Sequence, residues 1–224
     1  MPTITALEPQ RRKGRLNIFV DGQFVIGVGE RVAADLGLRA GREMSEERLR
    51  EIAGAEEVHK ATEAALTLLE VRARSRREIE NRLAQKGYET EIVNQVLEKL
   101  IRLEVIDDAQ FAAQWVEARS RVGGSRPLGK RRLAQELLGK GVTKDQIAEA
   151  VESITDEQEL QLARDAARKK VRLVPREVGA LQAEQRKLIG FLGRRGFGWE
   201  IIQQVLRETF TGQEDAAQWE DSED

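Results

Sequence analysis

Two apolar runs flank a two-residue break near the start of the chain: Leu16-Asn-Ile-Phe-Val20, then Asp21-Gly22, then Gln23-Phe-Val-Ile-Gly-Val28. Asp-Gly favours the left-handed dihedrals of a tight hairpin, so this pattern predicts two antiparallel strands. A preceding strand around Thr3 to Leu7 would place the basic run Arg11, Arg12, Lys13 and Arg15 in the connecting loop. Gly37 and Gly41 punctuate a short helix after Glu30, and Ser45 is placed to N-cap another through Ile52.

From Glu56 onward the period becomes helical, and the pattern repeats. With Gly87, Gly141 and Gly196 in register, Ile79, Leu133 and Leu188 coincide, as do Leu83, Leu137 and Leu192. Tyr88, Val142 and Phe197 follow, then Val93, Ile147 and Ile202, then Leu97, Val151 and Leu206. Each copy reads as a helix, a glycine C-cap and a second amphipathic helix. A further helix precedes each pair, aligning Ala64, Phe111 and Leu162, and Leu68-Leu69 with Trp115-Val116 and Ala166-Ala167. Its offset differs from that of the pairs, so extra residues separate the first and second helices of copies two and three. A unit of this size buries little by itself, and neighbours must pack together to complete the cores.

The expected fold is mainly α, with three tandem three-helix repeats in an elongated curved array after a small β-hairpin-containing module. The expected boundaries are 1–55 for the N-terminal module, 56–106, 107–155 and 156–210 for the repeats, and 211–224 for an acidic, disordered tail.

Composition narrows the chemistry. The 224 residues include no cysteine and one histidine, His59, which removes thiol nucleophiles and Cys/His metal sites. His59 lies in Glu56-Glu57-Val58-His59-Lys60 without a nucleophile pattern and reads as a surface residue. No stretch is apolar enough to cross a membrane or serve as a secretory leader, so a cytoplasmic protein is expected. Gly124-Ser-Arg-Pro-Leu-Gly129-Lys130-Arg131 approaches the phosphate-loop pattern, but Arg131 replaces the metal-binding hydroxyl and no strand precedes it. A helix start with Ser125 as N-cap and Pro127 in the first turn explains those residues. Gly27-Val-Gly29 lacks the third glycine of a dinucleotide fingerprint, and Asp107-Asp108 reads as a helix N-terminus. No catalytic residue, cofactor, metal or small-molecule substrate is expected.

The charge balance hides an asymmetry. Lys plus Arg is 37 against 39 acidic residues, yet six acids fall within Thr211 to Asp224, which carries no base. From Arg119 to Arg132 there are six bases (Arg119, Arg121, Arg126, Lys130, Arg131 and Arg132) and no acid. A second cluster between residues 164 and 176 includes Arg168, Lys169, Lys170 and Arg172, and Arg72 and Arg74 hold the equivalent place in copy one. These positions suggest a basic strip for phosphates or an acidic surface. The last helices of the repeats carry a net negative charge, which argues against a major-groove reader. Lys86, Lys140 and Arg195, each preceding a glycine, are accounted for by the helix C-terminus.

These residues resemble the RecX family, regulators of the RecA recombinase. The similarity rests on Ser75-Arg-Arg-Glu-Ile79 to Leu83 and Lys86-Gly87, and on Val105-Ile-Asp-Asp108 with Phe111-Ala112 and Arg119. It continues through Gly129-Lys-Arg-Arg-Leu133 to Glu136-Leu137 and Lys140-Gly141, and more loosely through Glu184 to Leu206. Val20-Asp-Gly-Gln-Phe24 and Leu36-Gly-Leu-Arg-Ala-Gly41 resemble the N-terminal extension of many members; the acidic tail has no counterpart. The resemblance implies a non-enzymatic modulator, in the main an inhibitor, lying in the groove of RecA filaments on single-stranded DNA. It implies effects on RecA's ATPase, strand exchange and co-protease activity. The alternative is a free-standing helical protein that binds DNA non-specifically without RecA.

Overall fold

The computed structural model describes residues 2–210 apart from Val122, Ser125, Arg172 and Arg176. The proposed N-cap Ser125, the candidate contact Arg172 and the acidic tail therefore lie outside the described residues. The chain forms two compact units that divide between Ile106 and Asp107.

The first unit begins with an antiparallel sheet in the order β1 (Ile4–Pro9), β2 (Arg15–Val20) and β3 (Gln23–Gly29). Val20 pairs with Gln23, and Asp21 and Gly22 between them both have positive φ, the geometry the Asp-Gly pair favours. One sheet face, with Ile4, Ile18, Val20 and Val28, packs on Val32 and Ala33 of α1 (Glu30–Asp35) and on Met44 and Ile52.

Helix α2 (Glu46–Val71), N-capped by Ser45, is longer than expected. The sequence reading ends one helix at Ile52 and starts another after Glu56, yet nothing between them stops the helix. Gly54 is absorbed into it with open space around its Cα. The consequence is structural: Ile52 serves the core of the sheet module, while Ala61 and Ala65 of the same helix serve the core of the first repeat. There they meet Ile79 and Leu83 of α3 (Arg76–Gln85) and Val93, Val96, Leu97 and Leu100 of α4 (Thr90–Arg102).

The second unit holds repeat two, α5 (Asp108–Arg119), α6 (Lys130–Gly139) and α7 (Lys144–Glu152), and repeat three, α8 (Asp156–Lys170), α9 (Val178–Arg194) and α10 (Trp199–Phe210). Asp107 caps α5 by accepting from the N–H groups of Ala109 and Gln110. The second helix of each repeat closes alike. Gly87, Gly141 and Gly196 have φ between 83° and 88°. The next residue, Tyr88, Val142 or Phe197, returns its N–H to Leu83, Leu137 or Leu192. The extra residues of copy two form the loop before α6, whereas those of copy three partly lengthen α9 to 17 residues. Helix α6 starts at Lys130 with Gly129 as N-cap, so Pro127 lies in the loop and not in the first turn.

Candidate nucleic-acid interface

The candidate basic residues fall into two groups by compensation. Arg72 and Arg74 belong to the first unit. Arg72 makes a two-point contact with Glu78, whose hydrogen bond raises its pKa. Arg74 donates Nε to the Leu68 carbonyl at 3.0 Å, and burial pushes its pKa down. Both therefore organise the turn between α2 and α3, where the Ser75–Glu78 capping box starts the next helix.

In the second unit, Arg119 lies 3.2 Å above the Trp115 ring and 3.4 Å from Glu136, to which Trp115 Nε1 also donates. Lys130 is tied to the next repeat. Its Nζ stands 2.9 Å from Asp156 and 4.0 Å from Glu159, and its backbone N–H donates to Glu159 at 3.0 Å. Arg132 shares Glu136 at 3.5 Å. Lys169 donates to the Gly124 carbonyl at 2.6 Å, while Arg168 stands 3.8 Å from Asp165 and Lys170 lies 5.9 Å from the Phe191 ring.

Arg121, Arg126 and Arg131 are exposed and have no carboxylate partner among the described residues, as is also true of Lys169 and Lys170. The three arginines sit at the end of α5, in the loop and in the first turn of α6. The dense stretch read from the sequence thus divides: Arg119, Lys130 and Arg132 hold local contacts, and the other three present charge to solvent.

The loop before α6 also fastens repeat two to repeat three. The Gly129 N–H donates to the Arg195 carbonyl at 2.9 Å, and the Arg131 N–H to the Gly196 carbonyl at 3.3 Å. A side chain at Gly129 would bring its Cβ to 2.6 Å from the Gly196 carbonyl carbon, so the backbones meet where only glycine fits. Arg195 donates Nη1 to the Pro127 carbonyl at 2.9 Å and lies 4.6 Å over the Phe191 ring. The Gly123 N–H donates to Asp165.

Arg195 is the residue that sequence reading missed. Its place before Gly196 is explained by the helix C-terminus, and only its contacts show that it reaches across to the loop of repeat two. A signal existed in the chain: Arg186, Lys187, Arg194 and Arg195 fall in an acid-free span between Glu184 and Glu200. His59, read as a surface residue, is half-buried beside Gly29.

Comparison with known proteins covers both units. The family model described as RecX, first three-helix domain, matches residues 61–100; the second and third three-helix domains match 107–151 and 156–206. The Regulatory protein RecX N-terminal domain matches residues 2–45. Regulatory protein RecX of Lactobacillus johnsonii is 31% identical over 208 residues, covering 92% of this chain and 74% of the relative. That of Bacillus licheniformis is 30% identical over 222 residues, covering 98% and 82%. A crystal structure of regulatory protein RecX superposes with a TM-score of 0.80 at 28% identity, covering 92% of this chain and 98% of the other. RecX from Lactobacillus salivarius shares the fold with a TM-score of 0.61 at 23% identity, covering 69% of this chain and 97% of that one.

Proposed function

Starting from the fact that this chain belongs to the RecX family of regulatory proteins, we propose that it is a non-enzymatic cytoplasmic inhibitor of the RecA recombinase. It engages RecA filaments on single-stranded DNA and lowers their ATPase, strand-exchange and co-protease activities. The observation that supports this reading is the group of exposed, uncompensated guanidiniums at Arg121, Arg126 and Arg131. Solvated side chains without an internal partner lose little by binding a polyanion, and arginine forks suit phosphate oxygens. Because these contacts go to backbone phosphates, the binding is independent of base sequence.

The test is RecA's single-strand-dependent ATP hydrolysis while this protein is titrated. Loss of hydrolysis well below one copy per RecA is expected, since a filament modulator acts on growth or stability. Hydrolysis that falls only as DNA is occupied would replace this reading with the free-standing DNA binder. In that case the affinity for bare single strands accounts for the whole effect. If the three exposed guanidiniums each engage a phosphate, the log–log salt slope of that affinity is about −2.

A further inference from the structure

The joint between repeats two and three gathers arginines that the protein itself leaves without a counter-charge. Arg195, at the C-cap of α9, is half-buried, and its only polar side-chain contact among the described residues is the neutral Pro127 carbonyl. The guanidinium lies over the Phe191 ring, 4.6 Å from its centroid. The adjacent loop residue Arg126 brings a second positive charge. Burial, and after it the Arg126 charge, hold the Arg195 pKa below its ordinary value. The Arg131 backbone lies at the same crossing, its N–H donating to the carbonyl of Gly196 beside Arg195, and its side chain is exposed.

The neighbouring Lys130 shows that compensation was available in this joint, for Asp156 and Glu159 stand beside it. Like charges crowded together, one of them partly out of water, are unfavourable until an anion joins them. We propose that Arg126, Arg131 and Arg195 form a phosphate site at the repeat-two/repeat-three joint, taking a backbone phosphate of single-stranded nucleic acid. This deepens the function proposed above and rests on it. One guanidinium fork satisfies one carboxylate. Several forks at the N-terminal end of α6, whose dipole points the same way, match the clustered oxygens of a phosphodiester chain.

The test is fluorescence anisotropy of labelled oligothymidylate with the full chain, titrated at several salt concentrations. Arg126→Gln and Arg195→Gln each weaken binding by about threefold to tenfold and reduce the log–log salt slope by about 0.7. Lys144→Gln, at the start of α7 beside Asp145, leaves both unchanged. Arg126 is exposed, so its variant decides the matter even where Arg195→Gln fails to fold. Arg195→Lys keeps the charge but loses the fork, and an affinity between those of the native protein and Arg195→Gln is expected.

Normal affinity and slope in both glutamine variants would overturn the site while leaving nucleic-acid binding by the native protein intact. No binding of the oligonucleotide by the native protein would overturn the site together with the reading beneath it. Variants that bind the oligonucleotide normally yet no longer suppress RecA's ATPase would assign the arginines to an acidic protein surface, which also overturns the phosphate assignment.

Discussion

The two joints between modules solve the same local problem in different surroundings. At the first, the N–H of Gly29, the N-cap of α1, donates at 2.7 Å to Glu56 of α2. At the second, the N–H of Lys130, just after the N-cap Gly129, donates at 3.0 Å to Glu159 of α8. Neither glycine has a capping side chain, and at each a Cβ would press on a neighbour: His59 at Gly29, the Gly196 backbone at Gly129. A glutamate from the first helix of a repeat therefore satisfies a backbone N–H at each helix start, where no capping side chain is present. The difference lies in how each charge is balanced. Glu56 is 1% exposed, with Arg15 at 2.8 Å and Lys60 at 3.5 Å. Glu159 has one lysine, 4.0 Å away, which it shares with the fully solvated Asp156. The first joint rests on a buried charge cluster, the second on a close backbone crossing.

If that distinction holds, removing the two carboxylates has unequal effects. Glu56→Ala leaves Arg15 partly buried without its partner, a change that costs about 3–5 kcal/mol. Glu159→Ala removes a charge-assisted hydrogen bond from a carboxylate that is also buried but has only one distant cation, and costs roughly 1.5–3 kcal/mol. Urea unfolding gives the size of each loss, and hydrogen exchange places it. Protection should fall in β2, β3 and α2 for Glu56→Ala, and in α6 and α8 for Glu159→Ala. Equal costs would mean that charge compensation is not what separates the joints.

The backbone crossing gives the next largest effect. Gly196→Ala combines a positive-φ penalty of about 1–2 kcal/mol with overpacking of about 1–3 kcal/mol, because the new Cβ would collide with the Arg132 backbone nitrogen. Gly87→Ala shares the φ but meets open space, so it costs only about 1–2 kcal/mol. Urea midpoints for the two variants, compared at equal slope, separate the steric contribution from the conformational one. If the Gly87 and Gly196 variants lose the same stability, the crossing is not a tight contact.

The same contrast explains what was legible in the sequence. The repeats were readable because they are local: apolar spacing of three and four residues, a glycine at each C′ position, and Asp107 before an apolar stripe. The Asp-Gly hairpin was readable for the same reason. The joints were not. Glu56 sits in a charged run and looks solvated until Arg15, from the strand module, is seen beside it. Gly129 looks like part of a phosphate loop until Gly196 is seen against it. For the candidate site, charge density located the stretch from Arg119 to Arg132. The acids that neutralise Lys130 belong to the next repeat, so linear sequence could not say which bases remained unpaired. Arg195 was overlooked because a helix C-terminus explains any cation placed there.

A third glutamate extends the comparison to a partly exposed charge and gives the smallest effect. Glu208 of α10 takes both Nε and Nη2 of Arg164 of α8 at 2.7 Å, linking the outer helices of repeat three. That hydrogen-bonded contact holds the Glu208 pKa below the ordinary carboxylate value, with Gln204 adding to the effect and desolvation opposing it. A carboxylate with a depressed folded pKa adds stability that is complete above its unfolded pKa, about 4.3, and disappears as pH falls through the folded value. Melting temperatures of the native protein and Glu208→Gln should therefore differ at neutral pH and converge as the pH falls below the ordinary carboxylate range. Added salt should narrow the neutral-pH difference, since a partly exposed pair is screened more than the buried Glu56 cluster. A gap that widens as the pH falls would reverse the sign and remove Arg164 as its cause. A gap unmoved by salt would place Glu208 with Glu56, as a charge sheltered by the fold.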